Sequence, residues 1–480
     1  MTATEARIAR LSEDKQRLLR RLLDDPAPVA VTPLRPRPRR WLVTAGQRRT
    51  YLMQRTEPEQ TFWNMCLGLR VRGPFSPGCF ARAIRRLVRR HEVLAARFGH
   101  RDGAVLQLLD GRAARMVSID CLRPGQQAGE PIELAWRAEH ERPFDLDREP
   151  PLRGRVLRIA EDDHALFLTV HHIVMDGWAA NILLRDLDEL MSAGQAGRSA
   201  SLRPAELRFC DYAAWQQGWL RSWPRLEQSR FWRAELPGNA PDLDLPSALP
   251  RPAQPRFDRG HLPIILTDEI SAGVRRLAAA ESTTPYVVLL AAYAALLSRL
   301  TGADDLVIAS PVACRQQDER LEHVVGLFAN LVPIRCDLRG AATMREVVRR
   351  IRAVAGRALA NQDLPIEELL AELRLASARS RSPLSQHIFA LYNYPRHTSL
   401  LAGLEVAEFD AEPSHALQIY APLPVRPDTC LRIQDRAGTR GLGGLAEYNR
   451  AVIDDDSARK FLAQYADAVR TLVAEPDAAR

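Results

Sequence analysis

Two adjacent histidines are the residues whose types and spacing best fit chemistry in this sequence. His171 and His172 are followed, after a three-residue gap, by Asp176 and Gly177. An imidazole near its usual pKa can accept a proton from an attacking nucleophile and can also hold that nucleophile by a hydrogen bond. Each residue alone is ordinary, but the combination seldom arises by chance. We therefore predict an active site here.

The four residues are expected to have different roles. His172 borders the loop, and we expect it to hold the nucleophile or accept its proton. Strand alternation points His171 the other way, toward packing or fixing the loop. Asp176 cannot easily reach the His172 ring while it starts a helix, so we expect it to anchor the loop through a buried arginine. Gly177 leaves room for a substrate near a helix N-terminus, where backbone amides could help an oxyanion. The simpler alternative is that Asp176 only caps the helix and the histidines are polar residues at a strand end.

The type of reaction is narrowed by motifs that the sequence lacks. No serine or cysteine in a GxSxG setting accompanies the histidines, so direct transfer is favoured over a covalent acyl-enzyme. A third ligand and the HExxH pattern are also missing, and we expect no metal site. The seven cysteines show no CxxC or Cys/His ligand spacing, which is typical of free thiols in a reducing cytoplasm.

The elements around the motif predict an α/β protein. Residues 165–170 have the length and β-branched content of a buried strand, and residues 182–191 have helical periodicity that ends at Gly194. The histidines thus lie where a strand gives way to a loop and a helix. Farther on, Thr267 and Thr284 are good N-caps for two helices, the second apolar nearly all round and therefore buried.

The length of 480 residues predicts two lobes of ordinary size, with an N-terminal appendage. Residues 1–40 are interpreted as a helix followed by a Pro- and Arg-rich linker, residues 41–204 as the N-terminal lobe, and residues 205–480 as the C-terminal lobe. The arginines at 35–40 fit a solvated linker or an electrostatic contact with an acidic partner, and residues 1–40 are a candidate docking segment.

Charge and hydropathy exclude two classes of partner. The net charge is +8, but its basic residues are almost all arginine, without a recognisable nucleic-acid-binding motif. The longest apolar runs are far below the roughly 18 residues that suggest a membrane span, and the N-terminus lacks a signal-peptide core. We expect a cytoplasmic protein that binds neither nucleic acid nor membrane.

Several motifs together resemble those of the condensation domains of nonribosomal peptide synthetases, within the chloramphenicol-acetyltransferase-like acyltransferases that carry HHxxxDG. The resemblance extends from about residue 44 to about residue 476, with the motifs in the family's order. They lie at Gln47 with Arg49 and at residues 90–98, 171–178, 211–216, 325–330, 362–365 and 380–384.

The resemblance implies a fold and a set of partners. It implies two chloramphenicol-acetyltransferase-like lobes in a V-shaped pseudo-dimer with a central tunnel, to which donor and acceptor carrier proteins bring substrates. No cofactor is bound by the enzyme itself; the substrates are presented on the phosphopantetheine of the carriers, and a monomer is expected. His172 then orients or deprotonates the acceptor, Arg315 is the expected partner of Asp176, Gly177 lines the channel, and Trp178 is typical of condensation rather than epimerisation.

The implied activity joins a carrier-bound acyl or peptidyl thioester to an acceptor amine in nonribosomal peptide or hybrid polyketide biosynthesis. The open alternatives are an ester-forming or chain-releasing enzyme with a hydroxyl acceptor, a CoA-dependent small-molecule acyltransferase, a possible free small-molecule acceptor, and a catalytically silent recruiting domain. The sequence departs from the family at Cys314, Leu331, Asn361 and residues 421–424. These departures lie in the second lobe, so they concern the acceptor more than the chemistry. Because the chain starts at Met1 and no adenylation or carrier domain follows, we expect either a stand-alone enzyme or an excised first domain.

Overall fold

A computed structural model describes most of the chain. The described residues are 30–109, 116–122, 127–236, 243–247, 249–253, 256–375, 384–392, 401, 404–408, 426–435 and 441–479. The helix predicted within residues 1–24, the altered segment 421–424 and most of the motif at 380–384 lie outside them.

The described elements are strands and helices mixed along the chain. The strands are β1 Arg40–Leu42, β2 Asn64–Arg72, β3 Arg97–Arg101, β4 Ala104–Leu108, β5 Val117–Cys121, β6 Leu152–Ala160, β7 Asp163–His171, β8 Arg259–Ile265, β9 Asp305–Val312, β10 Asn330–Asp337, β11 His387–Tyr392, β12 Glu405–Glu408, β13 Thr429–Asp435 and β14 Leu442–Asn449. The helices are α1 Ala45–Thr56, α2 Pro77–Arg90, α3 Gly129–His140, α4 Gly177–Gln195, α5 Phe209–Trp219, α6 Trp223–Glu235, α7 Asp268–Ala280, α8 Pro285–Thr301, α9 Met344–Ala360, α10 Ile366–Glu372 and α11 Asp455–Ala474.

The strand that carries the first histidine lies in the middle of a five-stranded sheet. The order of this sheet is β12-β2-β7-β6-β5. β7 is antiparallel to both of its neighbours, and nearly all of its side chains are buried, which confirms the strand predicted over residues 165–170. The edge strand β12 comes from residues 405–408, so the first sheet is not completed within residues 41–204.

A second, six-stranded sheet belongs to the later part of the chain. Its order is β10-β9-β11-β13-β14-β8, with parallel pairs on both sides of β11. α8 packs against α7, α9 and α11 and is buried along most of its length, as its apolar sequence predicts. Thr267 caps α7 through its side chain, whereas Thr284 occupies the N-cap position of α8 without such a bond.

Membrane-spanning potential is confined to one bent helix pair. Among the described residues, no single helix is both long and apolar enough to cross a bilayer. Only α7 and α8 taken together have the required length and composition, and they are bent by 105° relative to each other.

Residues 30–40 contact the body of the protein at several points, so this segment is not a linker that is solvated along its whole length. Val31 is buried, and its carbonyl accepts a hydrogen bond from Arg320. Arg37 donates to both carboxylate oxygens of Asp211 at 2.8 Å. The basic segment therefore meets an acidic residue of its own chain.

Residues 92–98 are divided between two elements. Glu92–Ala95 form a short 3-10 helix, and the strand β3 begins only at Arg97. The apolar run Val93-Leu94 is buried because the 3-10 turn places both side chains in the core. Burial of a short apolar run alone does not distinguish these two conformations.

Candidate active site

The two histidines lie at the end of β7, where the chain turns into a 3-10 helix formed by His172–Val174. His171 pairs with Asn64 of β2, and the His172 amide donates to the Trp63 carbonyl at 2.9 Å. Both imidazoles are almost completely buried. The sheet therefore fixes the backbone on which the two rings are mounted.

The tautomer of His172 follows from one hydrogen bond. Its Nδ1 lies 2.5 Å from the Met175 carbonyl oxygen. A carbonyl only accepts, so Nδ1 must carry the proton. In the neutral ring Nε2 then holds the lone pair and is the nitrogen able to accept a proton. The Trp63 ring lies beside this imidazole, with 6.1 Å between ring centroids.

His171 has the opposite arrangement. Its Nδ1 accepts a hydrogen bond from the Ile173 amide at 3.1 Å, so its proton is on Nε2. Burial, with smaller contributions from the charges of His172 and Arg153, lowers the pKa of His171 well below its usual value. Phe144 packs edge-on against the ring at 5.6 Å between centroids. A neutral, buried His171 holds the 3-10 turn that presents its neighbour.

Asp176 connects the motif to the second half of the chain. As the N-cap of α4, it accepts from the Ala179 amide at 2.8 Å, so Asp176 does cap the helix, but capping is not its only role. Its other oxygen accepts from the amides of Phe328 and Ala329 at 3.0 and 3.2 Å. Its own amide donates to the Gly326 carbonyl at 3.3 Å. One carboxylate thus ties the start of α4 to the segment before β10.

Arg315 completes this connection. Its Nη2 lies 3.1 and 3.4 Å from the two Asp176 oxygens, and both side chains are fully buried. Nη1 donates to the carbonyls of Leu321 and Val324 at 2.8 and 3.0 Å. The guanidinium also stacks 3.8 Å from the centroid of the Phe328 ring. Burial lowers the pKa of Arg315, while the charge of Asp176 opposes that shift.

Cys314 has a backbone conformation that glycine adopts more easily than any other residue. Its φ is +46°, in the left-handed region that only glycine adopts without a steric cost. The thiol is buried, and burial raises its pKa far above the usual value. Cys314 is therefore held as a neutral thiol, and its Sγ lies 3.7 Å from the Gln362 carbonyl.

Two further side chains outside the HHxxxDG motif hold the loop and the helix that follows it. Gln47 is fully buried and donates from Nε2 to the Ile173 carbonyl at 3.0 Å. Asp186 on α4 accepts from Arg90 at 2.7 Å and contacts His91 at 3.0 Å. The sequence placed Gln47 and residues 90–98 in family motifs but did not identify Asp186. A carboxylate on a helix normally faces solvent, so the sequence carries no signal that Asp186 is buried.

Gly177 and Trp178 form the first turn of α4 and are half-buried. The Trp178 indole donates to the Glu322 carbonyl at 3.1 Å. Arg315 lies 5.9 Å from the Trp178 ring centroid. The structure therefore brings Trp178, Asp176 and Arg315 together, and the histidines adjoin them through the 3-10 turn.

Two other family departures, Leu331 and Asn361, lie near one another. Leu331 is buried in β10 directly after Asn330, whose side chain donates to the carbonyls of Gln362 and Leu364 at 2.8 and 2.9 Å. Asn361 is the C-cap of α9, and its carbonyl accepts from the Trp232 indole at 2.9 Å. These residues join the end of α9 to the start of β10.

The cysteines form neither disulfides nor a metal site among the described residues. All seven cysteines are free thiols, and burial raises the pKa of Cys66 to about 12 and that of Cys430 to about 11. Within the part of the chain that the structure describes, no group of three or more His, Cys, Asp or Glu side chains could hold a metal ion.

Comparison with known proteins gives consistent matches along the chain. A family model described as Condensation domain matches residues 39–479. A linear gramicidin synthase from Brevibacillus parabrevis is 32% identical over 435 residues, which is 90% of this chain and 8% of the relative. Phosphinothricin tripeptide synthetase PhsC of Streptomyces viridochromogenes is 32% identical over 483 residues, which is 99% of this chain and 43% of the relative. The chain thus spans less than half the length of either relative.

The fold of the chain also matches a solved structure over most of its length. One chain of a solved complex of the X-domain and OxyB from teicoplanin biosynthesis is 26% identical to this protein and superposes on it with a TM-score of 0.80. The match covers 95% of this chain and 97% of that one. This agreement confirms the predicted mixed α/β fold.

Proposed function

Because the chain belongs to the condensation domain family, we propose that it joins a carrier-bound acyl or peptidyl thioester to an acceptor amine, forming an amide. The observation that carries this proposal is the tautomer of His172. Its Nδ1 is committed to the Met175 carbonyl, so the Nε2 lone pair is the basic site of the motif. A base with a fixed orientation suits a reaction in which a proton must leave the nucleophile.

The proposed reaction is a direct transfer. The amine nitrogen attacks the thioester carbonyl carbon and gives a tetrahedral intermediate. The C–S bond then breaks, the carrier thiol leaves, and the proton lost by the amine is taken by His172 Nε2 and returned to the sulfur. No acyl group becomes attached to the protein, which agrees with the raised pKa of the buried Cys66 and Cys430 thiols.

The remaining motif residues are assigned to positioning. His171 holds the 3-10 turn through the Ile173 amide. Asp176 and Arg315 join the loop to the second half of the chain. Gly177 and Trp178, in the first turn of α4, line the channel where substrates meet in this proposal.

The proposed partners are a donor and an acceptor carrier protein that present their substrates on phosphopantetheine. The phosphopantetheine arms carry the substrates into a tunnel between two lobes of a monomer. The boundary between the lobes lies near residue 204 in this proposal. The two synthetases that the chain resembles are much longer proteins, which fits a domain that acts on substrates supplied by neighbouring domains.

The test is amide formation from a carrier loaded with an acyl group and a panel of aminoacyl acceptors, followed by mass spectrometry. His172→Ala should lower the rate by about 10²- to 10⁴-fold, the usual contribution of general-base catalysis. Full turnover by His172→Ala would contradict the assignment. Supplying acyl-CoA in place of the loaded carrier tests the CoA-dependent alternative.

A hydroxyl acceptor predicts a different response. An amine that is already neutral needs little deprotonation before it attacks, whereas a hydroxyl needs a base in the transition state. His172→Ala should therefore impair ester formation more than amide formation. Parallel assays with matched amino and hydroxy acceptors measure this difference directly.

The likeness to the teicoplanin X-domain favours a second candidate function. That domain was solved in complex with OxyB, so this chain is alternatively a recruiting domain that binds another enzyme without transferring an acyl group. In that case the wild-type chain forms no product with any acceptor, and His172→Ala leaves partner binding unchanged.

A further inference from the structure

Helix α2 has an unusual concentration of positive charge. It contains five arginines and no acidic residue in 14 residues. The whole chain has a net charge of only +8, because its 67 basic residues are nearly balanced by 59 acidic ones. A single helix of three to four turns therefore contributes a charge of +5, which is more than half of the net excess.

Four of these arginines form a stripe along one face. Arg82, Arg85, Arg86 and Arg89 follow the i, i+3, i+4, i+7 spacing that places side chains together on a helix. All four are exposed, while Phe80, Ile84 and Leu87 on the opposite face are buried. The fifth, Arg90, is paired with Asp186 of α4. We call the four exposed residues the arginine stripe.

The stripe has no ion-pair partner among the described residues. This contrasts with exposed arginines on other helices, such as Arg459 and Arg470, which pair with carboxylates three residues earlier in the chain. Like charges three and four residues apart on a helix repel one another. Folding alone therefore disfavours this arrangement, and a binding role explains it better than stability does.

The stripe is connected to the proposed site of reaction through α4. α2 packs along α4: Arg90 binds Asp186 at 2.7 Å, and the Cys79 thiol lies 3.8 Å from the Met191 carbonyl. Asp186 is nine residues after Gly177, which corresponds to about 14 Å along the helix axis. The C-terminal end of the stripe is therefore attached to the same helix whose first turn adjoins the histidines.

We propose that the arginine stripe of α2 is a docking surface for the acidic face of one of the two carrier proteins. This inference rests on the proposed function, which supplies the carrier as partner. Arginine guanidinium groups bind carboxylates and phosphates through paired N–H donors. A carrier that presents acidic side chains around its phosphopantetheine phosphate therefore complements four exposed arginines in charge, and this raises the association rate most at low salt.

The experiment uses variants that separate docking from folding. Arg82→Glu with Arg85→Glu reverses two charges and places each glutamate four residues before a remaining arginine, so the helix gains two favourable pairs. The control, Arg276→Glu with Lys460→Glu, makes the same change in net charge on α7 and α11, where both side chains are exposed. Thermal unfolding should show that the stripe variant is at least as stable as the wild type.

The readout is binding of a fluorescently labelled, phosphopantetheine-bearing carrier domain with an acidic surface, followed by anisotropy at several salt concentrations. The stripe variant should bind about tenfold or more weakly at low salt and lose most of the salt dependence, while the control should stay within about twofold of wild type. Equal binding by the stripe variant, no binding of the carrier by wild type, or tighter binding of duplex DNA or RNA than of the carrier would overturn the proposal.

A second readout separates this proposal from the proposed function. Acyl-pantetheine, which lacks the carrier protein, is offered with an amine acceptor. Equal turnover of this substrate by wild type and stripe variant, with weakened carrier binding only in the variant, supports the docking role. If no protein forms amide from any substrate, the proposed function fails, while the anisotropy measurement still decides whether the stripe binds the carrier.

Discussion

Replacing Asp176 by Asn tests how strongly the motif depends on its link to the second half of the chain. The carboxylate accepts from three backbone amides and from Arg315. An asparagine of the same size has only one oxygen, so its NH₂ group must face either the Arg315 guanidinium or the amides of Phe328 and Ala329. All of these groups donate hydrogen bonds, and none accepts one.

The magnitude follows from the burial of the pair. Two unit charges about 4 Å apart attract by about 4 kcal/mol at an effective dielectric constant near 20. Removing one partner of a buried ion pair typically costs about 3–5 kcal/mol because the other charge stays uncompensated. We therefore expect Asp176→Asn and Arg315→Met each to lower the free energy of unfolding by about 3–5 kcal/mol. Both losses exceed the effect of a typical surface substitution.

A double-mutant cycle provides the measurement. Urea unfolding of the wild type, both single variants and the double variant gives the coupling between the two side chains, which should be about 2–3 kcal/mol. The double variant should therefore be much more stable than the sum of the single losses predicts. Additive losses would refute this reasoning, because they would mean that the two buried groups do not depend on each other.

Three other perturbations have expected outcomes. A Cβ at Gly326 would lie 1.9 Å from Cδ2 of Phe209, so Gly326→Ala should lower the unfolding free energy by about 1–3 kcal/mol. The control Gly356→Ala lies in open space within α9 and should raise the unfolding free energy by about 0.5–1 kcal/mol. Equal effects of the two variants in urea unfolding would contradict this reasoning. Gln47→Leu removes a donor to the buried Ile173 carbonyl and should cost about 1–3 kcal/mol and lower transfer, which unchanged unfolding and turnover would refute. Burial lowers the pKa of five histidines, which therefore take up protons on unfolding below pH about 6.5, so stability present above that pH should fall by up to about 1.4 kcal/mol per pH unit for each of them. A flat urea-unfolding profile between pH about 7.5 and 5.5 would count against that expectation. These histidines are His91, His164, His171, His323 and His387.

Much of the fold could be predicted because local patterns agreed with the tertiary structure. The apolar, β-branched run before the histidines is buried in the sheet, and the periodicity after Gly177 forms a helix. Thr267 caps α7 as its residue type and position predict. In these places propensity, burial pattern and capping all favour one conformation.

Features that depend on contacts distant in sequence were not predicted. β12 was not recognised, since its partner β2 lies far earlier in the chain and pairing between remote segments leaves no mark in a local window. The same holds for the candidate site: that Asp176 needs a buried cation followed from its chemistry, and Arg315 was chosen by resemblance, but the amides of Phe328 and Ala329 could not be anticipated. The close approach of Gly326 to Phe209 likewise becomes visible only in three dimensions.

Strand β12 has a consequence for recombining such domains. It pairs with β2 over Glu405 to Glu408, so the sheet that bears the histidines is built from two widely separated parts of the chain. A chimaera joined near residue 204 would pair β2 of one parent with β12 of another, on an edge where both backbone register and side-chain contacts must match. If the second half is exchanged but residues 404–408 are kept from the parent that supplies β2, the pairing between β2 and β12 stays native. We expect this exchange to fold more often.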